Sequence, residues 1–472
     1  MNLGLMGLGH VGTGLVQLLQ AQEKDITARL GEPLVLRRVL VRDPGKPRAV
    51  RLGRDLLTTD PEAILADPSI DLVVELIGGR SPAHSYILRA LEAGKSVITA
   101  NKELLADHGR EALTLAQERG ADLLFEGSVG GAIPILRALL DSLAGSRLTR
   151  ILGIINGTTN YILTQMAEED RDFAQALTDA QRLGYAEADP TADVEGHDAA
   201  RKLAILASLG FSTDVRSGDV LTRGISAIVP ADLEYGRRHG LVCKLIAQAE
   251  DLGGFVAAQV APAFIDARHP LARVKGAFNA VYVYGEGLGE SMFYGLGAGG
   301  VPTASAVLGD VLTAVRHRQR GVAFSQPLPS RGLRVRSARE AASRFYLRLE
   351  TLPHPTASAD LRKLLLQHGV TLSSFLDHAG RHKGETRLTL VTNPCPLERL
   401  EGALEEARAL PWIREQGALV QLLDLEAGEP DALPGWVHLE ERRTTGRMEV
   451  APLARREAAQ ATISVPPVEG GR

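Results

Sequence analysis

The densest chemistry in the sequence lies in YAEADPTADVEGHDAARKLAIL, residues 185–206, where Glu187, Asp189, Asp193, Glu195 and Asp198 crowd ahead of an apolar helical pattern. The spacing predicts a helix over Asp198–Leu209. On it Asp198 and Lys202 stand four residues apart and share one face, with the carboxylate on the N-terminal side. Three chemistries fit such a pair. It can be an exposed ion pair of small worth. It can be catalytic, because a lysine tuned by a carboxylate gives a proton to a carbonyl oxygen as hydride arrives, or takes one in reverse. The acids can also hold a divalent cation through their oxygens, although Lys202 would compete with the ion and the spacing is not that of an EF-hand loop.

A second constellation, Gly7-Leu8-Gly9-His10-Val11-Gly12, follows the short apolar run NLGLM and opens the helical pattern LVQLLQAQEK. In that context Gly7 permits a tight turn, Gly9 lets the backbone approach a pyrophosphate and Gly12 allows close helix packing. His10 and Val11 open the helix, whose unpaired N–H groups face the anion. The alternative is a merely structural turn. Cofactor choice turns on VLVRDPGKPR at the end of the second predicted strand. Arg42 would hold a 2′-phosphate and Asp43 a ribose 2′-hydroxyl. Lys46 and Arg48 tilt the balance to NADP, and NAD stays open because Asp43 lies further from the glycines than the usual ~20 residues.

Other residues point to less. Cys243 and Cys395 are far apart, with no CxxC and no paired histidine motif, so both read as packing residues and thioester chemistry is not expected. His378 and His382 have HxxxH spacing, but Gly380 between two predicted strands argues against a helical zinc pair. His197 reads as structural.

These groups need elements to hold them. Short β-branched runs at Val35–Val41, Asp71–Leu76, Ser96–Thr99 and Ala121–Phe125 alternate with helical stretches such as Ala83–Glu92 and Glu103–Arg119. That alternation specifies a parallel, doubly wound Rossmann sheet over residues 1–130. Residues 131–320 read as one mixed α/β domain, with a helix at Ile133–Leu143 and strands at Arg150–Ile155, Phe255–Val260 and Ala277–Tyr284. The glycine-rich GEGLGESMFYGLGAGG precedes its last helix. Residues 321–342 lack apolar periodicity and read as a linker. From 343 to 425 the order of predicted elements is βαββαβ, that of a ferredoxin-like module. Residues 426–472, rich in Glu, Arg, Gly and Pro, read as a tail without fixed structure.

Composition sets the outer limits. The chain has 472 residues, 44% hydrophobic and 23% charged, which suits a globular protein of roughly three domains. Lys plus Arg number 53 against 57 acids, so no electrostatic footprint for nucleic acid or anionic membrane is expected and the partners are small molecules. Two cysteines, no apolar run of membrane length and no basic signal-like start make a cytoplasmic location the expectation.

Several separated motifs, in order along residues 1–320, resemble homoserine dehydrogenase: GLGHVG, ELIGG at 75–79, TANKELLA at 99–106, FEGSVGGAIPI at 125–135, GIINGTTNYIL at 153–163, the acidic stretch at 185–206, and GAGGVPTASAV at 297–307. The resemblance implies NAD(P)-dependent interconversion of L-homoserine and L-aspartate 4-semialdehyde, on the way to threonine, methionine and isoleucine. It implies that Lys202 donates and accepts the proton at the substrate oxygen, that Asp198 partners it at the substrate, and that Glu187 receives the substrate ammonium. Lys102 of the ANK segment would stand near the nicotinamide, while Gly184 and Gly299 would approach the cofactor. A monovalent cation, commonly sodium, would sit at Glu126 and the backbone carbonyls of Val129, Gly131 and Ile133. Residues 131–320 would serve as substrate and dimerisation domain of a homodimer.

The C-terminal module resembles an ACT domain, which implies a regulatory unit for an amino acid effector. It departs from that pattern at LPHPTASADL, residues 352–361, where no glycine stands at the turn, so an interaction or dimerisation module is the other reading. Two further function classes compete: a non-catalytic NAD(P)-sensing regulator, and another amino acid dehydrogenase on this scaffold.

Overall fold

The computed structural model describes residues 1–322, 331–380 and 385–425; the expected tail at 426–472 and His382 lie outside the described residues. Six strands form the first sheet: β1 (Asn2–Met6), β2 (Val35–Leu40), β3 (Leu57–Thr58), β4 (Leu72–Glu75), β5 (Ser96–Thr99) and β6 (Leu123–Leu124). All pair in parallel, in the order β3-β2-β1-β4-β5-β6. Chain direction across the sheet reverses between β1 and β4, and the crevice outside their carboxyl ends is where such sheets receive dinucleotides. Buried on both faces, β1 and β4 carry Leu3, Leu5, Leu72 and Val74 at 0% exposure, which is why they read as continuous apolar runs rather than alternating ones.

Twelve strands form the second sheet: β7 (Arg147–Ile154), β8 (Leu221–Thr222), β9 (Leu241–Asp251), β10 (Phe255–Asp266), β11 (Phe278–Glu286), β12 (Gly289–Leu296), β13 (Arg334–Arg336), β14 (Ala342–Thr351), β15 (Leu372–Ala379), β16 (Thr386–Thr392), β17 (Cys395–Pro396) and β18 (Ile413–Leu422). Its main path runs β12-β11-β7-β9-β10-β18-β14-β16-β15. The last four strands, with helices Ala357–Gln367 and Leu397–Ala407, have βαββαβ connectivity and the antiparallel ferredoxin-like order. This module is not a detached bead. β18 continues the central sheet by pairing with β10 at Ala263–Gln421 and Phe264–Leu422.

Three sequence expectations need correction. The linker expected over 321–342 contains β13, which pairs with β10, and a helical turn at Ala338–Glu340; a three-residue strand is too short to show periodicity. The amphipathic helix expected at Ile133–Leu143 is a single turn, Ile135–Arg137, running into a wider π turn at Ala138–Ser142. Helix Gly300–Gln319, assigned by sequence order to the 131–320 domain, packs back on the first sheet: Ala304, Val307, Leu308 and Val311 share one apolar cluster with Leu3, Leu5, Leu15 and Val16. A helix of that pattern buries its stripe against whichever sheet face is open, and sequence order does not decide which. No helix among the described residues is long and apolar enough to cross a membrane.

Candidate active site

Lys202 and Asp198 lie on helix His197–Phe211, which starts at Gly196 with φ +83°, a left-handed conformation suited to glycine. One helical turn apart, their side chains meet at 2.7 Å, and both residues are buried, at 7% and 5% exposure. Lys202 Nζ also donates to the Ile155 carbonyl at 2.9 Å, beyond the end of β7. Lys102 approaches from the first domain. It is the first residue of helix Lys102–Glu118, whose amide of Leu104 is capped by the Asn101 side chain, and its Nζ lies 2.6 Å from Asp198 Oδ1. Asp198 therefore bridges two lysines from two domains.

Asn156 completes the frame. Its Oδ1 accepts from the Thr159 amide at 2.9 Å, capping helix Gly157–Glu169, while its Nδ2 donates to Asp198 Oδ2 at 3.0 Å and Asp193 Oδ1 at 2.7 Å. Thr158 Oγ1 donates to the Tyr185 carbonyl and to Asp193 Oδ2, tying the acidic loop to the same helix start. The positioning roles of Asn156 and Thr158 escape the sequence reading. The signal was present in NGTT, an Asn before a helical run, which is an N-cap signature.

Burial opposes charge on all three central groups, but the outcomes differ. Lys202 is pushed below the ordinary lysine value by burial, with Asp198 opposing and Lys102 assisting the shift. For Lys102 burial is outweighed by Asp198, and its value rises. For Asp198 burial is outweighed by the two lysines, so its carboxyl falls well below the usual range and stays ionised. Asp193 is raised by burial and by the neighbouring Asp198. Within one cluster the two lysines thus shift in opposite directions, Lys202 down and Lys102 up.

The glycine turn lies at the carboxyl end of β1. Gly7 has φ +101°, and a Cβ there would come 2.6 Å from the Leu76 carbonyl oxygen. Around Gly9 nothing lies within 4 Å of where a Cβ would be, which leaves room for a ligand against the backbone. Helix His10–Ala21 has no side-chain cap, its first bond runs from Thr13 N to Gly9 O, and the amides of His10, Val11 and Gly12 find no acceptor among the described residues. Such a helix start fits an anionic pyrophosphate. Beside it Gly300 packs on the His10 backbone, which brings exposed Gly299 next to the turn. At the end of β2, Asp43 Oδ1 accepts from the Gly45 amide at 2.8 Å and Arg48 is spent on the carbonyls of Asp43, Pro44 and Lys46. Arg42 is exposed and makes no ion pair among the described residues.

Other expected positions are not drawn into the cluster. Glu187 and Gly184 lie on the exposed loop after helix Phe173–Arg182, and no hydrogen bond or ion pair joins the Glu187 carboxylate to Asp198 or Lys202. Glu126 is buried, and its carboxylate accepts from the amides of Leu136 at 2.9 Å and Arg137 at 2.8 Å, closing the start of the turn at Ile135. The Ile133 carbonyl accepts from the Ile135 amide, whereas no donor among the described residues reaches the carbonyls of buried Val129 and Gly131. His84, His108 and Glu111 gather on neighbouring helices, with the imidazoles stacked at 4.5 Å and the Glu111 carboxylate 3.2 Å from His84 and 3.5 Å from His108.

The family model described as "Homoserine dehydrogenase, NAD binding domain" matches residues 7–126, and that described as "Homoserine dehydrogenase" matches residues 134–312. The homoserine dehydrogenase of Bacillus subtilis (strain 168) is 42% identical over 375 residues, covering 79% of this chain and 87% of that one. Among solved structures, a homoserine dehydrogenase from Thiobacillus denitrificans superposes with a TM-score of 0.81 at 34% identity, over 90% of this chain and 98% of that one. A hyperthermophilic archaeal homoserine dehydrogenase in complex with NADPH superposes with a TM-score of 0.55 at 26% identity, over 67% of this chain and 97% of that one. The chain belongs to the homoserine dehydrogenase family, and it is an NAD(P)-dependent oxidoreductase of that activity.

Proposed function

We propose that Lys202 is the group that moves the proton in the interconversion of L-homoserine and L-aspartate 4-semialdehyde. The observation that carries this reading is the bridge Lys102–Asp198–Lys202 at 2.6 and 2.7 Å, in which burial holds Lys202 below its usual value. When bound, the nicotinamide supplies or takes up hydride at the substrate carbon. In oxidation the neutral Lys202 amine takes the hydroxyl proton; in reduction the ammonium returns it to the carbonyl oxygen. Asp198 keeps Nζ oriented and lowers the cost of the cationic form. Lys102 holds Asp198 from the other side and tempers its pull on Lys202. Glu187, exposed on the loop tied to Asn156 and Thr158 through Tyr185 and Asp193, is free to receive the substrate ammonium.

The amides of His10, Val11 and Gly12 would hold the cofactor pyrophosphate, with Gly7, Gly9, Gly184 and Gly299 shaping its approach. Arg42, with no carboxylate partner, favours a 2′-phosphate and hence NADP; the archaeal relative bound to NADPH supports that choice. A sodium ion would use the backbone carbonyls near Glu126, since those of Val129 and Gly131 lack donors and buried carbonyls need partners. There it would fix the crossing between domains, and Glu126 would contribute its main chain because its carboxylate is already engaged. The chain is read as a homodimer, with the open edge of β12 and its exposed Tyr294 and Leu296 available for pairing.

The test is Lys202→Ala. Turnover of homoserine should fall about 100- to 10,000-fold, with NADP binding by fluorescence titration unchanged. Normal oxidation by this variant would reject the assignment.

A further inference from the structure

A cleft of about 540 Å³ opens between the central domain and the C-terminal βαββαβ module, and none of the proton-moving residues lines it. Arg223 enters from the segment after β8, Arg339 from the turn before β14, Glu401 and Arg408 from helix Leu397–Ala407 and its C-terminal cap, and Gln416 from β18. Its charges do not balance. Glu401 alone serves two arginines, taking Arg223 at 3.0 Å and Arg339 at 3.4 Å. Arg408 donates to Gln416 Oε1 at 3.2 Å, and its carboxylate neighbour Glu405 stands 3.8 Å away, exposed to solvent. Burial lowers Arg223 from its ordinary value, with Glu401 opposing and Arg339 adding to the shift. Guanidinium forks suit carboxylate and phosphate oxygens, and the volume is that of a small-ligand pocket.

The same wall is fastened to the helix that carries Asp198 and Lys202. The Ile225 amide donates to the Val194 carbonyl at 2.8 Å, and Ser226 Oγ donates to Glu195 Oε1 at 2.6 Å. A Cβ on Gly224 would lie 2.5 Å from Glu195 Cα, so the two segments touch backbone to backbone. Two residues beyond Glu195 the helix His197–Phe211 begins. Residues 223–226 are thereby joined directly to 194–196.

We propose that this cleft binds a small anion, a carboxylate or a phosphate, among Arg223, Arg339 and Arg408, and that its occupancy is transmitted to Asp198 through residues 194–196. The test uses the full chain saturated with NADP, so that the dinucleotide site is filled, with malonate and inorganic phosphate as probes. Calorimetry should show saturable binding of at least one probe; preference for malonate identifies a carboxylate ligand, preference for phosphate a phosphate ester. The probe should change kcat or KM for homoserine by about fivefold or more. In the double variant Arg339→Gln, Arg408→Gln, probe binding should weaken at least about tenfold while the rate without probe stays within about twofold, since two charge-assisted contacts are lost outside the active site. Absence of saturable binding at tens of millimolar, or equal binding by the double variant, overturns the site. Binding that the variant weakens but that leaves the rate unchanged overturns the transmission.

Discussion

Two buried clusters of charge use similar residues to opposite ends. In the first, Asp198 stands between Lys102 and Lys202, and Asn156 joins it to a second carboxylate, Asp193. In the second, Asp232 and Glu350 face Arg348 and Arg387: Arg348 Nε lies 2.9 Å from Asp232, its Nη1 3.1 Å from Glu350, and Arg387 Nε 2.8 Å from Glu350. Tyr346 donates its hydroxyl to Asp232 at 2.7 Å, Arg348 Nη2 donates to the Ala227 carbonyl, and the Val229 amide caps the remaining Asp232 oxygen. The second cluster is balanced in charge, and its cations are guanidiniums that do not release protons in proteins. It clamps helix Pro230–Arg238 to β14. The cations of the first are amines, and burial moves one of them, Lys202, toward release of its proton. Arginine in a buried network fixes structure; a buried lysine can do acid–base work.

The sharpest way to break this comparison is Lys202→Arg. The charge and the contact to Asp198 are kept, but the proton can no longer leave, so homoserine oxidation should fall about 100- to 10,000-fold at unchanged thermal stability. Substantial turnover by this variant would show that charge alone suffices there and that the contrast is empty. Arg348→Met addresses the other side. Removing one partner of a buried network leaves Asp232 without its cation, while Glu350 keeps Arg387, so unfolding free energy should drop by about 3–5 kcal/mol, while kcat per folded molecule is unchanged. Denaturant titration read beside an active-site count separates the two quantities.

A smaller effect sharpens the electrostatic half. Lys102 lowers Lys202 through repulsion and also competes for Asp198. In Lys102→Met both influences vanish, and the Lys202 value should rise. Oxidation requires the neutral amine, so its rate climbs as pH passes upward through that value, and in the variant the climb must move to higher pH. Reduction requires the ammonium, and its decline with pH must move the same way. A climb that stays in place, or moves to lower pH, would take the titrating group away from Lys202.

How much of this could be read in advance depended on locality. Asp198 and Lys202 were legible because a four-residue spacing on a helix fixes a contact by itself, and the Gly7–Gly12 turn because strand, glycines and helix follow in order. The Lys102–Asp198 contact joins residues 96 positions apart in sequence, and no periodicity reports on such a pair. β12 was hidden within GEGLGESMFYGLGAGG, where glycines mask a strand that its partner β11 holds in register from Phe278–Leu296 to Gly285–Gly289. β9 was missed although it pairs along its full length with β10; its run LVCKLIAQAED is rich in Leu, Lys, Ala, Gln and Glu, residues that favour helices, and Lys244 and Gln248 lie buried in it. Lys244 there finds neutral acceptors rather than an ion-pair partner, donating to Asn160 Oδ1 and the Val274 carbonyl, and burial pushes it down to about 8.

The smallest expected effect concerns the exposed counterpart of these buried cations. Arg42 stands at the end of β2 in a loop where Asp43 and Arg48 are consumed by their own backbone. Solvent screens it, so its worth shows only when a phosphate docks against it. Arg42→Ala should raise the Kd for NADP about tenfold and leave that for NAD nearly unchanged, as the loss of one charge-assisted contact requires. Equal losses for both cofactors would mean that Arg42 supports the loop rather than reads the ribose, and the choice between cofactors would then pass to Lys46, another exposed cation of that loop.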